Sequence, residues 1–267
     1  MKKKTLIIAA FLGSLLFTIG QTKSSYAKES SLSGDAEVEL KGYKEENSII
    51  RDPENPKVEV DPGESPQTEG DLRIDFAPKL NFSTVMISDE NAVFPVNAQL
   101  FHGDTSARGN FVQVSDYRDD PDGWTLQIRQ ENQFKHVTKL GAELKGAVIS
   151  FDQTWVNSSR DLAKAPTVSK EVIRMSNVGE TYNLAVAQSG KGSGTWSIVF
   201  GASQENHNER PNTLEIRKDS SGKEILDPIF KKPVYTNRAV TLAVPGATEK
   251  EPGAYSTVLT WVLAELP

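Results

Sequence analysis

Strict period-two alternation is the feature that most limits what this chain can become. Trp124-Thr125-Leu126-Gln127-Ile128, Tyr182-Asn183-Leu184-Ala185-Val186 and Trp196-Ser197-Ile198-Val199-Phe200 are short runs rich in β-branched and aromatic residues. In an extended chain, alternate residues share a face, so such runs read as strands with one face toward a core. Leu72–Phe76 has the same character, as do residues 80–82, 111–115, 147–151, 240–244 and 255–263. Asp122-Gly123, Ser189-Gly190, Pro245-Gly246 and Pro252-Gly253 supply turn chemistry between most of them. Helical signal is thin. Residues 131–144 have room for one short helix, while 213–217 reads as a strand and Ser221-Gly222 as a hairpin turn. The expected fold class is all-β, an antiparallel β-sandwich or barrel-like domain spanning 72–267.

Two segments precede that domain. Lys2, Lys3 and Lys4 lead into a mostly apolar run over 6–19, and Ser25-Tyr26-Ala27 offers small residues at the positions a signal peptidase reads. Residues 1–27 are therefore expected to be a signal peptide, with a mature start at Lys28. Residues 28–71 hold 13 acids against 5 bases and prolines at 53, 56, 62 and 66, with no lasting apolar period. Composition alone makes this stretch a disordered acidic linker, because it buries too little to offset its ordering entropy. The remaining chain is nearly balanced in charge and carries no basic stripe, which argues against nucleic acid as a partner. There is no cysteine, so no disulfide framework and no lipid on an N-terminal cysteine is available. The C-terminal residues form no LPxTG-type sorting sequence, so attachment to a cell is expected to be non-covalent.

Catalytic constellations are weak. His102, His136 and His207 are the only histidines, and no two have ligand spacing, so no metal and no cofactor is expected. No Gly-x-Ser-x-Gly elbow occurs. Asp119-Asp120-Pro121-Asp122-Gly123 resembles half of a calcium loop, and a hairpin turn beside Trp124 accounts for it better. Gly190-Lys191-Gly192-Ser193-Gly194-Thr195 lacks phosphate-loop spacing and precedes a strand, so it reads as a flexible hairpin. The chain is read as a non-enzyme. A wall glycan hydrolase, which needs a pair of spaced carboxylates, is the enzyme alternative.

The informative feature is a pair of Trp-x-Leu elements far apart in sequence. The first is Gly123-Trp124-Thr125-Leu126, and the second is Leu259-Thr260-Trp261-Val262-Leu263. Each puts an indole and a leucine on one strand face. Tyr255, Thr257, Leu259, Trp261 and Leu263 form one column. If the two strands are neighbours, a single aromatic-aliphatic patch results, and Trp124→Ala and Trp261→Ala should then fail in the same way. Each indole has two readings: it packs the fold, or its face stacks on a sugar ring while leucine excludes water. Trp155 and Trp196 are expected to be packing residues.

These elements resemble the WxL-domain proteins of low-GC Gram-positive bacteria. The distal pattern, Tyr255 followed by Leu259-Thr260-Trp261-Val262-Leu263 and then Pro267, matches the family closely. So does the proximal one, in which Val112-Gln113-Val114-Ser115-Asp116-Tyr117-Arg118 precedes Gly123-Trp124-Thr125-Leu126. The stretches 192–201 and 240–246 are similar to the family too. The resemblance implies non-covalent attachment to peptidoglycan, with Trp124, Leu126, Tyr255, Thr260, Trp261 and Leu263 as motif residues. It further implies a place in a surface complex with other WxL proteins and a membrane-anchored DUF916-type protein. An adhesin-type module binding host matrix proteins or a sibling surface protein is the alternative of a different class.

Overall fold

The computed structural model describes residues 48–119 and 122–266, and the expected signal peptide and the first part of the acidic arm lie outside them. Among the described residues, fifteen strands follow one another in chain order. They are β1 (Leu72–Phe76), β2 (Ala92–Asn97), β3 (Asn110–Asp116), β4 (Trp124–Gln130), β5 (Lys135–His136), β6 (Val148–Phe151), β7 (Thr154–Asn157) and β8 (Thr167–Val168). Then come β9 (Ile173–Arg174), β10 (Thr181–Ala187), β11 (Gly194–Phe200), β12 (Leu214–Ile216), β13 (Tyr235–Val244), β14 (Tyr255–Ser256) and β15 (Leu259–Glu265). The only helical turn described is a 3-10 turn at Leu162–Lys164. The chain is all-β, as the alternation requires.

Every ladder is antiparallel. The first sheet runs β1-β3-β11-β7 and the second β15-β4-β10-β8. The third runs β12-β13-β6-β9, with β2 also on β13, and β14 with β5 makes a small ribbon. Three sheets enclose one core. Val114, Trp196 and Ile198 enter it from the first sheet, Trp124, Leu126 and Leu184 from the second, and Ile149, Phe151 and Leu242 from the third. The burial pattern of β4 alternates without a fault, with Trp124, Leu126, Ile128 and Gln130 buried. Trp155 and Trp196 are both buried packing residues, as expected.

Strand β3 is buried along its whole length. Its even positions feed the central core, so something must cover the odd ones. The cover is the segment from residue 48 onward, which composition had assigned to a disordered linker. Ile50 and Val60 pack with Phe76, Phe111, Trp155 and Val199 on the outer face of the first sheet. Gln113 clasps the same segment: the Arg51 amide donates to its Oε1 at 2.8 Å, and its Nε2 donates to the Ile49 carbonyl at 2.8 Å. Arg108 Nε lies 3.0 Å from Asp52 and 3.4 Å from Glu54. The Ser203 amide and hydroxyl both donate to Glu54 at 2.6 Å. Acids that look surplus in the sequence are thus compensated by partners tens of residues away, which supply the burial that local composition lacks.

Four smaller expectations change. Residues 131–144 form no helix; Phe134 and Leu144 enter the core across a loop, with the Leu144 amide donating to the Phe134 carbonyl at 2.9 Å. Residues 80–82 run extended without joining a ladder. The glycine-rich stretch 190–194 is no hairpin, because β10 and β11 belong to different sheets and the chain crosses between them. Asp122-Gly123 likewise joins β3 of the first sheet to β4 of the second, a crossing between sheets in place of a hairpin. Thr213–Arg217 is borne out in β12, and the turn at Ser221-Gly222 is closed by a bridge between Lys218 and Glu224. Among the described residues, no helix is long and apolar enough to cross a membrane.

Candidate functional site

The two Trp-x-Leu elements are adjacent strands. β15 pairs with β4 along its whole length, with Trp261 opposite Ile128, Leu263 opposite Leu126 and Glu265 opposite Trp124. Opposed residues on an antiparallel pair point to the same side, so both columns face the core. The register makes the leucines the joint and holds the indoles apart by four strand positions, roughly 14 Å. The two indoles therefore do not merge into one patch.

Trp124 is wholly buried. Its indole Nε1 donates to the Gly192 carbonyl at 3.2 Å, which satisfies the one polar atom the ring carries into the core. The glycines around it serve that seat. A Cβ on Gly192 (φ +76°) would lie 2.4 Å from the Ala187 Cβ and 2.6 Å from the Trp124 Nε1. Gly123 (φ +109°) would put a Cβ 2.2 Å from the Ala187 carbonyl oxygen. The Gly-rich crossing between sheets is thus the lid over Trp124. This role was not legible from the sequence, although a Gly-x-Gly spacing before a strand is its signal. Arg118 ties the elements together at this end: it bonds Asp116 at 2.9 Å, the Gly123 carbonyl at 3.0 Å and Glu265 at 3.2 Å.

The other end is open. Trp261 and Tyr255 are half-buried and border a groove of about 560 Å³, together with Leu259 and Thr260. Trp261 meets Phe151 edge to face, with ring centroids 6.3 Å apart. Tyr255 meets His136 the same way at 5.0 Å, and its hydroxyl donates to the Glu251 carbonyl at 3.1 Å. The expected single column from 255 to 263 breaks at residues 257–258, where β14 leaves for its own ribbon with β5. Thr257 Oγ1 donates to the Asn132 carbonyl at 2.5 Å there. The far wall is the run 66–68 with 77–82. Ser65 Oγ donates to the Ala77 carbonyl at 2.6 Å, and Thr68 Oγ1 accepts from the Ile74 amide at 2.8 Å. Ile74, Phe134 and Ile149 make the groove floor apolar, while Gln67, Lys79 and Ser256 border it with polar groups. From sequence, Ile74, Leu80, Phe82 and Ile149 read only as strand residues, and Gln67 and Lys79 sit in stretches with no pattern of their own.

Thr260 occupies the alternate position of β15. Its hydroxyl bonds Glu131, which also pairs with Arg129 at 2.8 Å. The Thr260 hydroxyl and then Arg129 hold the Glu131 carboxyl below its ordinary value. Of the six motif residues, Trp124, Leu126 and Leu263 serve the joint between strands, and Tyr255, Thr260 and Trp261 gather at the groove. Among the described residues, no three metal-ligating side chains stand together.

A family model described as the WxL domain, a surface cell wall-binding domain, matches residues 27–267. That match includes the segment from residue 48 that packs on the first sheet. No curated protein and no solved structure matches the chain. The family is defined by wall binding and not by catalysis. With both motifs paired in one sheet and nearly the whole chain matched, the chain belongs to the WxL family of surface cell wall-binding domains.

Proposed function

We propose that this chain is exported and held on the cell surface by non-covalent attachment to peptidoglycan, with the groove beside β14 and β15 as the contact. One observation carries the reading: the distal motif turns an indole, a phenol and a leucine into a single open groove. Aromatic faces match the C–H face of a sugar, and the surrounding apolar residues exclude water from the contact. The amide of Gln67 and the hydroxyl of Ser256 are placed to orient ring substituents. A groove of about 560 Å³ falls in the range of small-ligand sites. Trp124 and Leu126 act as structural residues in this scheme.

The test is sedimentation of the full exported chain with washed peptidoglycan. Trp261→Ala is expected to weaken retention by about tenfold, the effect of losing roughly 1.4 kcal/mol of contact. A folded Trp261→Ala protein that sediments like its parent overturns the assignment of the groove.

A partner-binding reading has support of its own. Among the described residues β15 ends the second sheet, with β4 as its one neighbour, and a sheet edge accepts an added strand. A subunit of a surface complex with other WxL proteins or a DUF916-type ectodomain would dock there, and so would a host matrix segment. Mixing the chain with such an ectodomain tests it. Protection of the β15 amides from hydrogen exchange is the expected result, and unchanged exchange rejects it.

A further inference from the structure

We infer a second binding site on this molecule, separate from the β15 groove, that takes a phosphate ester of a small hydroxylated group such as a polyol or sugar. The site lies on the outer face of the first sheet, beside the segment that begins at residue 48. It is a cavity of about 400 Å³, and its border includes Arg51, Lys57 and Arg160 with no carboxylate among its lining residues. In a chain of formal net charge −6, Lys57 and Arg160 at one cavity are a local inversion of charge. Low-dielectric walls sharpen such a field toward an anion. The two cavities share no lining residue.

The loop that carries Arg160 is anchored. Gly194 lets the Arg160 side chain lie along the backbone, since a Cβ there would meet Arg160 Nε at 2.6 Å. Ser158 Oγ donates to the Thr195 carbonyl at 2.5 Å and accepts from the Arg160 amide at 3.1 Å. Asn157 Nδ2 donates to the Pro53 carbonyl at 3.0 Å, which ties this loop to the segment that carries Lys57. Lys57 and Arg160 carry the charge in this reading. Ser159 and Ser197 border the same cavity and can supply hydroxyl donors.

The opposite side has the reverse polarity. Asp75 accepts from Arg73 Nε at 2.7 Å and from Ser115 Oγ at 2.6 Å. Ser115 has spent its proton on Asp75, so across their 2.8 Å contact the Thr195 hydroxyl donates to Ser115. Tyr117 then donates to Thr195, also at 2.8 Å. Every proton in this relay points inward to Asp75, which leaves the Tyr117 oxygen as an acceptor at the cavity wall. Cations at one end suit phosphate oxygens, and an acceptor at the other suits a hydroxyl group. The volume is larger than a bare phosphate needs. That pairing of ends is why the ligand is a phosphate ester and not a simple anion.

Titration of the full exported chain with glycerol 3-phosphate, followed by calorimetry, tests this. Inorganic phosphate and glycerol serve as half-ligands. Glycerol 3-phosphate is expected to bind more tightly than either half, and added salt to weaken it. The double substitution Lys57→Gln with Arg160→Gln should weaken binding at least about tenfold at an unchanged melting temperature. Tyr117→Phe should erase the preference for the ester over phosphate. Equal affinity in the double variant, or equal binding of acetate, overturns the site. Trp261→Ala is expected to leave glycerol 3-phosphate binding intact, which keeps this proposal separable from the groove. Walls carrying phosphodiester polymers and walls stripped of them then identify the source. Greater retention on the former assigns the polymer, and equal retention assigns a free phosphate ester.

Discussion

Two tryptophans, each two residues ahead of a leucine, do different work. Trp124 is sealed under Gly192, so truncating it removes a full indole from the core. Trp124→Ala is expected to cost about 3–5 kcal/mol, seen as a fall of roughly 6–20 °C in melting temperature. Gly192→Ala should destabilise the same region, because its φ of +76° and the 2.4 Å approach to Ala187 leave no room for a Cβ. Trp261→Ala should be milder in stability and stronger in wall binding. The expectation that both tryptophans fail alike is thus replaced by a split, and the reason is the antiparallel register that parts the indoles. Glu54 offers a pH signature. Burial pushes its carboxyl above the ordinary 4.5, and the opposing pull of Ser203 and Arg108 does not reverse this. A raised folded value means the native state holds the proton more tightly. Its contribution is therefore greatest below pH 4.5 and declines as pH rises through the raised folded value. Melting curves of Glu54→Gln and the parent should lie closest below pH 4.5 and diverge above the raised folded value, with the variant relatively more stable there, because the amide carries no buried charge.

Among the elements, the segment from residue 48 changes the picture most. It covers Phe76, Phe111, Trp155 and Val199 and supplies Asp52 and Glu54 to Arg108. A chain begun at residue 72 is expected to expose that apolar face, bind a hydrophobic dye and aggregate, whereas one begun at residue 48 stays monomeric. Light scattering of the two fragments decides it. Asp52→Ala should cost toward the low end of about 3–5 kcal/mol, because the buried Arg108 keeps Glu54 at 3.4 Å. Strand β4 was legible in advance, since its alternation is a local property of seven residues. The cover was not, because proline, glutamate and serine look the same in a tail and in a segment whose charges meet distant partners.

At the scale of the whole molecule, three sheets share one core, and the long-range pairing of β4 with β15 closes it. The chain matches a surface cell wall-binding domain, and under the proposed function binding without turnover is the expected behaviour. Incubation with washed peptidoglycan should release no more reducing sugar than a heat-killed control. Release above that level would bring back the glycan hydrolase.

The sequence by itself determined the clearly alternating strands, such as β4, and the face their apolar residues take, because extended backbone alternates its side chains regardless of what lies nearby. It also determined the family, through two short motifs whose spacing is written in the chain. Only the tertiary structure decided which indole is sealed and which is open, and that residues 48–71 belong to the body. Those outcomes depend on register and on contacts between segments tens to more than a hundred residues apart, and no local pattern encodes a partner at that distance.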